Sequence, residues 1–196
     1  MVIREALQDS IHLTRETSGS TMTVSFLGGL VDAFKTCGWY VVLEKEITFD
    51  YIIRSRSELT KRNGRIDLVA QKRGYLPVAV EFDSCNNPKY KSIEKLVQFP
   101  GIGMSVIAGR SSVAAPDRVE SVLNERSVYD CVELWLVSIG QRKAWSFIKD
   151  GRREFTETVF DDSSVGRQRI EDCLRNKGKE SVQTSLDESS SDEFDS

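Results

Sequence analysis

Three carboxylates stand closest to chemistry in this sequence. They are Asp67 in Gly64-Arg65-Ile66-Asp67-Leu68-Val69-Ala70, and Glu81 and Asp83 in Val78-Ala79-Val80-Glu81-Phe82-Asp83. Both stretches alternate apolar residues with acids, which is the pattern of a half-buried strand. Lys72-Arg73-Gly74-Tyr75 between them is a turn signal, so the two strands are expected to pair as an antiparallel hairpin. A turn centred on Gly74 sets Asp67 opposite Glu81, with Cβ atoms roughly 5 Å apart. Asp83, two residues on, points the same way at a spacing of about 7 Å. Like charges opposed on a sheet destabilise it, so such a cluster calls for a cation, and oxygen-only ligands suit a hard ion such as Mg²⁺. The alternative is a solvated strand face whose carboxylates pair with Arg65, Lys89 or Lys91.

The elements that must position these acids can be read from periodicity. Residues 1–18 show no sustained pattern, and a leader is expected there. Apolar residues at 26/27, 30/31 and 34 predict a helix over Thr23–Phe34, despite the helix-weakening pair Gly28-Gly29, ending at Cys37-Gly38. Trp39 to Phe49, rich in Val and Ile, reads as a strand that runs on as far as Ile53. A basic connection follows, with Asn63-Gly64 as the turn into the Asp67 strand. After the Glu81 strand, Asn87-Pro88 supplies an N-cap and a first-position proline for a helix through about Gln98. Gly101-Ile102-Gly103 is a helix-to-strand turn, and Met104–Ala108 is a short buried strand. Residues 109–131 are read as loop and helix. Val132–Ile139 and Lys143–Ile148 are strands, Asp150-Gly151 is a hairpin turn into a strand over Arg153–Val159, and Gly166–Arg175 forms a terminal helix.

Composition sets the frame. A chain of 196 residues with 39% hydrophobic residues holds one domain of ordinary size plus flanks. The expected division is a leader over 1–18, a domain over 19–178 and an acidic disordered tail over 179–196. No apolar run approaches the roughly 20 residues of a membrane span. The start, Met1-Val2-Ile3-Arg4-Glu5-Ala6, lacks the layout of a secretion signal. The expected location is therefore the cytoplasm, or the nucleus in a eukaryotic cell. Cys37, Cys85, Cys131 and Cys173 form no CxxC pair, which speaks against a disulfide scaffold or a zinc ribbon. His12 is the single histidine, so histidine-based triads and zinc sites have little to build on. The net charge of −3 hides an asymmetry: without the five acids of residues 187–196 the body holds 27 bases against 25 acids. Nucleic acid is compatible with that balance but not demanded by it.

A helix, a β-meander bearing Asp67, a strand bearing Glu81, then a helix and a further strand resemble the PD-(D/E)XK nuclease superfamily. The residues that carry the likeness are Gly64-Arg65-Ile66-Asp67-Leu68-Val69 and Val78-Ala79-Val80-Glu81-Phe82-Asp83, supported by the Gly38-Trp39-Tyr40-Val41 step; it covers roughly residues 20–110. The resemblance implies an α/β (α+β) restriction-endonuclease-like core, a mixed sheet flanked by helices in αβββαβ order. It also implies hydrolysis of phosphodiester bonds in DNA, or less often RNA, by an endonuclease or exonuclease that uses Mg²⁺ or Mn²⁺. Asp67 and Glu81 match the two acidic metal ligands. The departure is at position 83, where Asp83 replaces the usual lysine. Some members supply the basic group from the following helix, and here Lys91, Lys95 and Gln98 lie on one polar stripe at i, i+4 and i+7. Lys95 is preferred over Lys91. Alternatively Asp83 joins Asp67 and Glu81 as a third ligand, following two-metal logic.

Further residues are weighed beside these. Glu44 on the first strand and Asp32 on the first helix are candidate outer ligands by the same resemblance, against a solvated or capping role. Arg54, Arg56, Lys61, Arg62 and Arg65 adjoin the acids and would contact phosphates, giving salt-sensitive binding; the alternative is a wet loop. Tyr75, Tyr90 and Phe82 are more simply core or turn residues than base-stacking platforms. The rival to a nuclease is a catalytically inactive nuclease-fold module that binds nucleic acid or a partner protein, which the lost lysine favours. A homodimer stays open.

Overall fold

The computed structural model describes residues 20–109, 115–126, 130–148 and 151–160. The expected leader, terminal helix and acidic tail lie outside them, as do His12, Asp150 and Cys173. The chain order begins with helix α1 (Ser20–Thr36), strands β1 (Tyr40–Ile53), β2 (Glu58–Gln71) and β3 (Val78–Asp83), helix α2 (Tyr90–Val97) and strand β4 (Ile102–Ile107). Then come α3 (Ala115–Asn124), β5 (Glu133–Ser138), β6 (Lys143–Ile148), β7 (Gly151–Glu154) and α4 (Thr156–Phe160). The first six elements follow the expected αβββαβ order, and the class is mixed α/β.

The seven strands form one sheet in sequence order. β1, β2 and β3 are antiparallel neighbours, β3, β4 and β5 run parallel, and β6 and β7 return antiparallel. Every residue of β3, β4 and β5 is buried, as expected of parallel strands covered on both faces. Alternation splits their side chains. Val78, Val80, Phe82, Met104 and Val106 face Phe26, Leu30 and Phe34 of α1, while Ala79, Ile107, Leu134 and Leu136 face Ile93 and Leu96 of α2 and Val119 and Val122 of α3. No described helix is long and apolar enough to cross a membrane.

Four expectations need correction. Asn63-Gly64 is not a turn. Both residues sit inside β2, paired with Thr48 and Ile47, and the hairpin turns instead at Arg54–Ser57, where Ser57 has a φ of 50°. A Cβ on Gly64 would press on the Phe49 ring of β1 at 3.0 Å, while Lys95 Cδ of α2, at 3.5 Å, would be in ordinary contact. Second, α2 begins at Tyr90 with Lys89 as its N-cap, because the Lys89 N–H donates to Asp83 Oδ2 at 3.0 Å. Third, the stripe of Lys91, Lys95 and Gln98 is divided: Lys91 is exposed, Gln98 is half-buried, and Lys95 is buried together with Glu94. Fourth, β7 stops at Glu154. Phe155 N–H donates to the Ala144 carbonyl, Phe155 packs on Trp135 at 5.3 Å, and the chain turns into α4 rather than extending to Val159.

Gly101 does serve as the helix-to-strand turn. A Cβ there would stand 2.3 Å from the Pro77 carbonyl oxygen, a backbone atom that also accepts the Ile102 N–H. Gly101→Ala should therefore destabilise the fold by about 1–3 kcal/mol through overpacking. A lower urea midpoint with an unchanged slope would report it.

Candidate functional site

The site is built where β1, β2 and β3 lie side by side. β2 and β3 pair as Leu68–Val80, Val69–Ala79 and Ala70–Val78, so one further step in this register faces Asp67 with Glu81. The expected opposition is therefore realised. The ladder ends there, and Asp67 takes over its bonding: the Phe82 N–H donates to Asp67 Oδ2 at 2.8 Å. On the other side β1 and β2 pair at Leu43–Leu68 and again at Lys45–Ile66, leaving Glu44 and Asp67 facing each other outside the ladder. Glu44 has a φ of 50°, a left-handed conformation that is uncommon for a non-glycine residue. Glu44, Asp67 and Glu81 thus form a row across three strands.

Lys95 reaches this row from α2. Its Nζ donates both to Glu81 Oε1 and to the Arg65 carbonyl, and its side chain is 7% exposed. Ser92, one turn earlier on the helix, is buried there and helps to hold the Glu81 carboxyl down. Burial pushes the Glu81 carboxyl up to about 7, Asp67 opposite adds to this, and Lys95 and Ser92 pull against it. Asp67 is raised as well, chiefly by burial, with Glu44 and Asp83 adding to it while Phe82 N–H and Lys95 oppose. The pair holds more negative charge than one ammonium offsets.

Asp83 is deployed otherwise. Its Oδ2 takes the Lys89 N–H and its Oδ1 pairs with Lys89 Nζ, both at 3.0 Å. That hydrogen bond and the carboxylate charge in turn raise the Lys89 ammonium above its ordinary range. Among the described residues no set of three His, Cys, Asp or Glu side chains is arranged to hold a metal. The expected three-carboxylate cluster is therefore an acid pair with a lysine, and Asp83 fixes where α2 begins. Lys91 stays exposed on the same helix, beside Gly64. Asp32 is exposed on α1, which packs on the opposite face of the sheet.

The basic residues divide. Arg56, Lys61, Arg62 and Arg65 are exposed on the ribbon. Arg62 lies over the Tyr51 ring at 4.5 Å, and Arg65 stands 3.7 Å from Glu44 and 3.8 Å from Glu46. Arg54 turns inward to Glu94 at 3.2 Å, Glu125 at 2.9 Å and the Tyr90 ring at 3.8 Å. Its guanidinium is engaged by these groups rather than turned out with the other bases. Beside the acids a cleft of about 590 Å³ is lined by Glu46, Ile47, Thr48, Asn63, Gly64 and Arg65. Phe82 is buried against Phe26, with ring centres 4.8 Å apart, and Tyr90 is held between Arg54 and Arg118. Burial pushes the Cys131 thiol up to about 12, which keeps it unreactive.

Sequence reasoning did not find Ser92, or the network around Glu94. No local signal marks either, since Ser92 matters through Glu81 on another element and Glu94 through Arg54 and Arg126, 40 and 32 positions away. Comparisons with models of known protein families, with characterised proteins and with solved structures found no match to this chain.

Proposed function

We propose that this protein is a metal-dependent nuclease that hydrolyses phosphodiester bonds of DNA, working as the PD-(D/E)XK enzymes it resembles do on a restriction-endonuclease-like core. One observation carries the reading. The basic group missing at position 83 is delivered by Lys95 from the next helix, directly onto Glu81 and beside Asp67. The residues present fit a divalent cation. Asp67 spends Oδ2 on the Phe82 N–H and keeps Oδ1, Glu81 adds a second carboxylate, and both carboxyls are raised by charge and burial that a cation would offset. One or two carboxylates, completed by water and substrate phosphate, is the usual holding of Mg²⁺. Mn²⁺ suits the same donors. Asp83 is left out of the ligand set because Lys89 engages both its oxygens.

Such an ion, when bound, lowers the pKa of water and takes up charge on the phosphoryl oxygens. The protein groups do the rest. Phe82 N–H orients Asp67. Lys95 sits where it can align the attacking water and neutralise charge developing at phosphorus. Lys61, Arg62 and Arg65 along β2 supply phosphate contacts whose strength falls with salt.

Asp67→Asn and Glu81→Gln should each reduce cleavage of labelled single- and double-stranded DNA in Mg²⁺ or Mn²⁺ to background. Asparagine keeps an acceptor for Phe82 N–H, so folding should persist. Mg²⁺ should raise the melting temperature of the wild-type chain and not that of Asp67→Asn. Full cleavage by Asp67→Asn would end this reading.

A second reading, an inactive nuclease-fold module that binds nucleic acid or protein, draws on one observation. Lys95 is satisfied by Glu81 and the Arg65 carbonyl together, so protein partners alone complete the pair. DNA binding without cleavage, and no stabilisation by Mg²⁺, would favour it.

A further inference from the structure

A second concavity lies along the same two strands. Tyr40 and Gln71 are directly paired across β1 and β2, and Gln71 stands four residues beyond Asp67. Alternation puts Gln71 and Tyr40 on the sheet face that carries Asp67, about 13 Å further along. There a cleft of about 410 Å³ is lined by Tyr40, Gln71, Lys72, Arg73, Tyr75 and Pro77. The cleft lined by Glu46 and Arg65 lies on the other side of the acid row, two residues away along the strands.

The lining has a definite chemistry. Tyr40 is 69% exposed although its neighbours Trp39 and Val41 turn into the α1 side of the core. Tyr75 is held with its ring centre 5.6 Å from that of Trp39, and Lys72 Nζ stands 5.3 Å from the Tyr75 ring while donating to the Cys37 carbonyl. Among the described residues no carboxylate pairs with Lys72 or Arg73, whereas Arg54, Arg65, Lys89 and Lys95 are each held by at least one. An open aromatic face beside uncompensated cations is the combination that takes a nucleobase and its phosphate together. Bases inside a duplex are covered by their neighbours and cannot offer that face. Resting on the nuclease reading of the acid row, we propose that this cleft holds a single DNA strand on one side of the scissile bond, with a base stacked on Tyr40 and the adjoining phosphate on Arg73 and Lys72.

The test is fluorescence anisotropy of the full chain with a dye-labelled oligothymidine and with a duplex, in EDTA so that nothing is cut. Tyr40→Ala should weaken oligothymidine binding by about five- to hundredfold, the range that loss of one base–aromatic stack gives. Tyr40→Phe should leave it unchanged, since the ring face is kept. Arg73→Ala should lower the salt slope by about 1. Duplex affinity should move far less in all three. An unaltered melting temperature for Tyr40→Ala separates loss of the platform from loss of fold. Oligothymidine affinity that survives Tyr40→Ala, absence of wild-type binding, or an equal loss for duplex would overturn the proposal. Tyr40-dependent binding in a protein that cuts nothing with Mg²⁺ would leave this cleft assigned and remove the nuclease reading alone.

Discussion

Lys95→Met should lower the unfolding free energy by about 1–2 kcal/mol near pH 8 and by less near pH 5. Near pH 8 the Glu81 carboxylate and the Lys95 ammonium form a pair whose side chains are 4% and 7% exposed. Methionine keeps the stem and removes the charge that holds the Glu81 carboxyl down, so near pH 8 Glu81, buried and opposite Asp67, is driven to take up a proton, with the Arg65 carbonyl short of a donor. The pH dependence follows from Glu81, whose folded carboxyl is raised from 4.5 to about 7. The folded state therefore binds this proton more readily than the unfolded chain. The resulting stability is fully present below the ordinary value and is lost as pH climbs through the raised one, a span of about 3 kcal/mol. Asp67, also raised, contributes with the same sign. Near pH 5 Glu81 is protonated in both proteins, the ion pair is already gone, and methionine packs where the lysine stem did. Urea titrations of both proteins across this range measure the difference. A deficit that does not shrink on acidification would mean that Lys95 acts through packing alone. In cleavage assays near pH 8 the same variant should lose about 10²–10³-fold, the cost of removing one preorganised charge from a developing transition state.

Glu94→Ala should be more damaging, by about 3–5 kcal/mol, with no direct contact to the acids. Glu94 is fully buried and accepts from Arg126 Nε at 2.7 Å and from Arg54 at 3.2 Å. Arg126 also donates to the Asp50 carbonyl at 2.6 Å, and the Gln98 amide brackets the Asp50 backbone, accepting its N–H at 2.8 Å and donating to its carbonyl at 2.9 Å. This network fastens the β1–β2 ribbon onto α2 and α3. Alanine leaves two guanidinium groups beside an empty buried site. Against a domain stability of about 5–15 kcal/mol, such a loss brings the chain close to unfolding in ordinary conditions. Glu94→Leu combined with Arg126→Met should recover most of it, since replacing a whole buried pair by apolar groups is often neutral. If the double variant is as unstable as Glu94→Ala, specific geometry rather than unpaired charge is what the network supplies.

The features legible before folding are local ones. The turn at Lys72–Tyr75 has its own chemistry, and with period-two alternation on either side it sets the register that opposes Asp67 to Glu81. The helical period of residues 26–34 and the short apolar runs of β3 and β4 were legible for the same reason: each signal is complete within a dozen residues. The tertiary structure alone decided the rest. Asn63-Gly64 has turn-forming residues, yet it lies in a strand because β1 pairs with it through Thr48 and Ile47. Lys95 looks like any helix-surface lysine until the ribbon folds over it and its ammonium meets Glu81 and the Arg65 carbonyl, 14 and 30 positions away. Asp83 and Arg54 carry the charges expected of a site, but opposite charges that the fold presents claim them first, Lys89 for Asp83 and Glu94 and Glu125 for Arg54. Turn and strand preferences are properties of neighbouring residues. The burial of a charge and the choice of its partner depend on which distant segments exclude water around it, and packing alone sets that.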